Sequence, residues 1–205
     1  MTDQAAILLD GGFVKKRLKL RLKHFPTTQD VVDLTQTIMG HDRLKGARLF
    51  RVFYYDAPPF EGSSKHPLDA TVVDFSTTQA AKQNKSLLDS LEVEPDFAVR
   101  RGQVANRGWK LGPRALKNLQ VGGPRAITPR DLIPDMEQKG VDLRIGLDIA
   151  TIALKRVVNI LVVVSGDSDL VPAMKQARIE GMKVYVEAMG NQIRRELRAH
   201  ADLVL

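Results

Sequence analysis

Apolar and polar positions along this chain fall into blocks that switch repeatedly between strand-like and helix-like spacing. Residues 5–9 form a short continuous apolar run closed by Asp10-Gly11-Gly12, the pattern of a strand buried on both faces. Beyond it, Val14, Leu18, Leu22 and Phe25 fall near one face of a helix over residues 12–24, although residues 18–22 also alternate as a strand would. Residues 28–39 predict a second helix, capped by Thr27 or Thr28 and stopped by Gly40. The aromatic and β-branched run at 49–55 predicts a second strand, ended by Asp56-Ala57-Pro58-Pro59. Residues 63–69 read as a polar loop and 76–91 as a helix. Residues 97–104 alternate and carry Arg100 and Arg101, as an edge strand does.

Periodicity is poor over residues 105–135, which are rich in Gly, Pro and Arg and predict a long functional loop or small hairpin. It returns at 141–154, where Val141, Ile145, Ile149 and Ile152 make one helical stripe. Residues 159–164 predict a central strand, 170–180 a helix that tolerates Pro172 in its first turn, and 183–187 a further strand. A short amphipathic helix at 193–200 and a last strand at 202–205 complete the chain. Strands alternating with helices predict an α/β fold with a mostly parallel sheet of about five strands and helices on both faces. At 205 residues and 43% hydrophobic, one domain over 1–205 is expected, with a basic insertion at about 100–135.

Composition narrows the function classes. There are no cysteines, which excludes a disulfide framework and any thiolate metal site. The chain starts without the basic segment and cleavage site of a signal peptide and has no apolar run long enough for a bilayer, so a cytoplasmic protein without membrane contact is expected. The formal charge of +7 points to a polyanionic partner. Its distribution sharpens that reading. Lys15, Lys16, Arg17, Lys19, Arg21 and Lys23 follow Asp10, and Asp131 is the only acid from residue 100 to 131.

Against this basic background stand acidic residues at strand ends. Val164-Ser165-Gly166-Asp167-Ser168-Asp169 repeats the logic of Leu9-Asp10-Gly11-Gly12: an apolar run stops abruptly in carboxylates among Gly and Ser. α/β sheets place their ligands at the carboxyl ends of strands, and carboxylates gathered there repel one another unless a cation intervenes. A hard divalent ion suits such an all-oxygen site. An Asp at a strand end also serves as a helix cap, which suffices for Asp10 or Asp169 alone but less well for Asp167 and Asp169 together. Asp142 opens the 141–154 helix. Asp148 lies about 9 Å further along its axis and well round it, so it can join only as an outer member.

Other Asp-rich patterns fit poorly. A haloacid-dehalogenase-like phosphatase wants Asp where Gly12 and Val171 stand, and an EF-hand wants a central Gly and closing Glu that do not follow Asp167. A Toprim domain wants Glu where Asp10 stands. The dinucleotide-binding Gly pattern is missing, the four histidines lack zinc spacing, and no nucleophilic triad surrounds Ser165 or Ser168.

Five segments occur in the order seen in NYN domains: residues 7–13, Tyr54-Tyr55-Asp56-Ala57, Lys139-Gly140-Val141-Asp142, Leu147-Asp148 and Ser165-Gly166-Asp167-Ser168-Asp169-Leu170. The chain most resembles the LabA-like (DUF88) branch of these PIN-like nucleases, departing from it at Phe13, where many members have Asn. The resemblance implies a strand order of about 3-2-1-4-5, a Mg²⁺- or Mn²⁺-dependent ribonuclease, and a catalytic, metal-binding cluster of Asp10, Asp142, Asp167 and Asp169. PIN-like domains often pair, which makes a homodimer one expectation.

In that scheme Gly11, Gly12, Ser165, Gly166 and Ser168 support the carboxylates. Lys15, Lys16, Arg100, Arg101, Arg107, Lys110 and Arg114 track a phosphate backbone, with Lys139 either joining them or simply solvated. Trp109 either stacks a base or packs a hairpin onto the body. RNA is the favoured partner. A regulatory RNA- or DNA-binding module with a silent site, and a phosphatase or nucleotidase, are the alternatives.

Overall fold

The computed structural model describes residues 2–205. Its apolar runs become the six strands of one parallel sheet. These are β1 (Gln4–Asp10), β2 (Arg48–Asp56), β5 (Phe97–Arg101), β8 (Ile160–Val164), β9 (Lys183–Val186) and β10 (Leu203–Val204), with β3 (Ser63–Lys65), β4 (Val72–Asp74), β6 (Gln103–Leu111) and β7 (Leu132–Lys139) outside it. The spatial order is β10-β9-β8-β1-β2-β5. The five expected strands thus lie in the expected sequence, and the two-residue β10 extends the sheet to six.

Local chemistry sets where most of the described helices start. α1 (Gly11–Leu22) is capped by Asp10, whose Oδ1 accepts from the Phe13 amide at 3.1 Å, and α2 (Thr28–Met39) by a Thr27–Asp30 capping box. Thr78 caps α3 (Gln79–Glu92). α4 (Pro113–Gly122) starts on proline, and α6 (Val171–Ile179) carries Pro172 in its first turn, where no amide hydrogen is missed. Gly140, at φ 74°, turns the chain into α5 (Val141–Leu154), and α7 (Arg195–Ala199) precedes the edge strand.

The sheet's period of two sorts its side chains into two cores. Ala6, Leu8, Tyr55, Leu161 and Val163 point to one face and pack with Ile145 and Ile149 of α5 and Met174 of α6. Ala5, Ile7, Leu9, Tyr54, Val162 and Val164 point to the other, against Val14 and Leu18 of α1, Val31 of α2 and Leu88 of α3. Both faces are covered, as an all-parallel sheet requires. β1 lies between β2 and β8, so consecutive connections leave it in opposite directions and open a crevice at its carboxyl end.

Residues 105–135 are an antiparallel hairpin of β6 with β7, with α4 between its strands, rather than an open loop. The polar stretch after β2 holds the small β3–β4 hairpin. No described helix is long and apolar enough to cross a membrane.

Candidate metal and phosphate site

Register brings the acids together. Leu9 is paired with Val164 and Asp10 with Tyr55, so Asp10 emerges beside the Ser165–Asp169 turn on one side and the end of β2 on the other. Ser165 bridges the first gap: its hydroxyl donates to Asp10 Oδ2 at 3.0 Å and accepts from the Asp167 amide at 3.1 Å. Asp167 Oδ1 accepts from the Asp169 amide at 2.9 Å, which orients the turn. Asp142 comes from the first turn of α5.

Burial pushes the Asp10 carboxyl above its ordinary value, and the Asp167 charge adds to this against hydrogen bonds from Phe13, Ser165 and Gly12. Asp142 is also raised, by burial and then by the charges of Asp10, Asp167 and Asp169. The four carboxylates therefore share one electrostatic field. Among the described residues, no group of three or more His, Cys, Asp or Glu is drawn tightly enough to hold a metal ion as it stands. In kind the donor set fits a hard divalent cation, being all oxygen and carrying excess negative charge.

Gly11 explains how the strands approach so closely. A Cβ there would sit 2.7 Å from the Tyr55 carbonyl oxygen, 2.8 Å from Asp56 Cβ and 2.9 Å from Tyr54 Cζ. Asp10 and Asp167 line a cleft of about 480 Å³ together with Lys16, Arg17, Asn191 and Arg194. Arg17 is held by the Met189 carbonyl at 2.9 Å and Arg194 by the Ser168 hydroxyl at 3.2 Å. The Phe13 ring lies against Gly166, 3.0 Å from where a Cβ would stand.

Several expected residues lie elsewhere. Asp148 accepts from the Tyr55 hydroxyl at 2.8 Å and from Arg100 Nε at 3.1 Å, which removes it from the acid cluster as an outer member. Arg100 also lies over the Phe53 ring. Lys15 turns inward, paired with the fully buried Asp56 and bonded to Asn84 Oδ1 at 2.7 Å. Arg101 bridges Asp89 and Glu92, Arg107 pairs with Glu137, Lys110 with Asp135 at 2.5 Å, and Lys139 stands 4.0 Å from Glu137. Lys16 in the cleft and Arg114 on α4 have no carboxylate partner among the described residues. Trp109 packs a hairpin: its indole N–H donates to Ser64 Oγ at 3.1 Å, and its ring meets His66 edge-on at 4.4 Å.

Sequence reasoning assigns no site role to Asp56, Asn84, Gln138, Asn191 or Arg194, and counts Arg17 only as charge. Asp56 carried a signal, because it ends an apolar run just as Asp10 does. The others gave none, since their partners come from distant segments.

A protein of unknown function from Vibrio parahaemolyticus, VPA0982, has a crystal structure similar to this one. The TM-score is 0.55 at 16% identity, and the match covers 100% of this chain and 92% of that one. This likeness concerns the fold alone. No curated protein was found to match the chain. The NYN domain family matches residues 73–205, which hold Asp142, Asp167 and Asp169, and NYN domains are PIN-like domains that are generally nucleases. With its parallel sheet and acidic strand ends, the chain belongs to the NYN domain family.

Proposed function

We propose that this protein is a metal-dependent ribonuclease that hydrolyses phosphodiester bonds at Asp10, Asp142, Asp167 and Asp169. One observation carries the reading: Asp10 and Asp167, from separate segments, line one cleft together with Lys16, Arg17 and Arg194. Repelling acids next to a polyanion make sense when a cation stands between them. Residues 1–205 form one domain in this reading, within the LabA-like (DUF88) branch and acting in the cytoplasm.

Asp10 and Asp167 would hold the principal Mg²⁺ or Mn²⁺ ion, with Asp142 and Asp169 completing its shell or holding a second. Such an ion supplies an acidified water and neutralises charge on the phosphate. Ser165 fixes the orientation of Asp10 by donating to Oδ2, while the Phe13 amide donates to Oδ1. Lys16, Arg17 and Arg194, which line the same cleft, bind and orient the phosphodiester. Arg17 and Arg194 are pre-positioned by their bonds to Met189 and Ser168, so less side-chain entropy is lost on binding.

The open spacing of the carboxylates favours a second reading, a regulatory RNA- or DNA-binding module with a silent site. Labelled single-stranded and hairpin RNA, with matched DNA, separates the two when incubated in Mg²⁺, Mn²⁺ or EDTA with wild type and Asp167→Asn. Metal-dependent products lost in the variant support the ribonuclease. Salt-sensitive binding by both proteins, with no product from either, supports the binding module.

A further inference from the structure

Gln138, near the end of β7, stands between two hollows. Its Oε1 lies 3.6 Å from where a Cβ on Gly12 would be, at the edge of the acidic cleft. Its other side borders a hollow of about 270 Å³ between α3, the turn after β2 and the β6–β7 hairpin. The walls are apolar, formed by Phe60, Phe75, Val104 and Met136. The Phe60 and Phe75 rings stand 5.8 Å apart, tilted at 59°. Two amides, Asn84 and Gln138, and the Thr78 hydroxyl supply the polar groups, the hydroxyl already being bonded to Phe75 and Ala81.

Both amides are fixed in place while keeping capacity for a ligand. Asn84 donates to the Ala57 carbonyl at 3.2 Å and accepts from Lys15, which leaves one N–H and one lone pair. Gln138 donates to Asp56 Oδ1 at 3.0 Å, which leaves one N–H, while its carbonyl oxygen stands toward Gly12. Aromatic walls for stacking, with amides offering both donors and acceptors, are the chemistry that reads the edge of an unstacked base. The hollow has room for one planar heterocycle and not for a duplex. Trp109, which packs against Phe75 and Ser64, acts here as a buttress.

We propose that this hollow binds one unpaired nucleobase of an RNA strand whose phosphate lies in the acidic cleft, making Gln138, Asn84 and Phe60 determinants of base preference. The inference rests on the ribonuclease reading for its ligand class. It favours single-stranded or looped RNA, because a paired base must first be unpaired and unstacked, at a free-energy cost, to enter.

Ala80→Phe provides the test. Ala80 lies on the exposed surface of α3 and lines the hollow, so a ring placed there fills it without entering the core. Fluorescence anisotropy in EDTA measures binding of a labelled single-stranded oligoribonucleotide, intact or with one abasic position moved along it. For wild type, one abasic position should weaken binding about tenfold, the effect of losing a stacked base. Ala80→Phe, shown to unfold at the wild-type temperature, should bind the intact strand about tenfold more weakly and ignore the abasic position. Phe60→Ala should behave in the same way. Wild-type binding and metal-dependent cleavage with no abasic effect would overturn the base pocket and leave the ribonuclease standing. Absence of RNA binding by wild type would overturn both.

Discussion

Neighbouring glycines at the start of α1 should respond oppositely to the same substitution. An alanine at position 11 places its Cβ within 3.0 Å of three atoms, at 2.7, 2.8 and 2.9 Å. The nearest is the Tyr55 backbone oxygen, which cannot rotate away, and the third belongs to the fully buried Tyr54 ring. Relief requires β1 and β2 to separate where Asp10 is positioned. Overpacking of this kind costs roughly 2–3 kcal/mol, which lowers Tm by roughly 4–12 °C in a chain of this size. An alanine at position 12 meets only side-chain oxygens, Asp10 Oδ1 at 3.4 Å and Gln138 Oε1 at 3.6 Å, both ordinary contacts. Replacing a helical glycine there should stabilise by about 0.5 kcal/mol. Urea unfolding followed by far-ultraviolet circular dichroism measures both. The steric account of the Asp-Gly-Gly turn fails if Gly11→Ala lies within 0.5 kcal/mol of wild type, or if Gly12→Ala proves the more damaging.

Lys15→Met should cost about 3–5 kcal/mol by stranding the buried Asp56 carboxylate, and adding Asp56→Asn should restore part of that loss; urea midpoints of the single and double variants decide it. Asp142 has a raised carboxyl value in the fold, so the metal-free protein binds protons more tightly folded than unfolded. Its stability therefore falls as pH rises from the unfolded carboxyl value near 4 through the raised folded value. Asp142→Asn should accordingly raise stability at pH 7 by about 1 kcal/mol or less, after allowing for solvent screening, with the gap closing below pH ~4; thermal melts in EDTA at several pH values test this. Added Mg²⁺ should raise the wild-type Tm more than that of the variant. Lys16→Gln should weaken RNA binding uniformly across sequences and reduce the slope of log affinity against log salt by about one, and an unchanged slope would place the phosphate elsewhere.

Much of the architecture was legible because its causes are local. The run Ile160–Val164 is buried along its whole length, and Val141, Ile145, Ile149 and Ile152 form the predicted stripe. Asp10, Asp142, Asp167 and Asp169 stand at or near points where regular elements begin or end, and parallel topology carries those ends to one side of the sheet. Side-chain partnerships had no such signal. Trp109 could be read as stacking a base or as packing a hairpin, and its contacts with Ser64, His66 and Phe75, all distant in sequence, are those of packing.

Charge shows the same division. The sequence by itself determined a parallel α/β sheet, acidic strand ends and an excess of cations, because apolar period, capping chemistry and net charge depend on residues close in the chain. Which cations face the cleft was decided only by the tertiary structure. Lys15 and Lys16 are adjacent on α1, yet successive helical positions point about 100° apart, so one meets the buried Asp56 and the other opens onto the acids. Asp148 turns to Tyr55 and Arg100 for the same reason. Coulomb attraction and desolvation depend on distance in space, and the order of residues along the chain leaves those distances open until the sheet has formed.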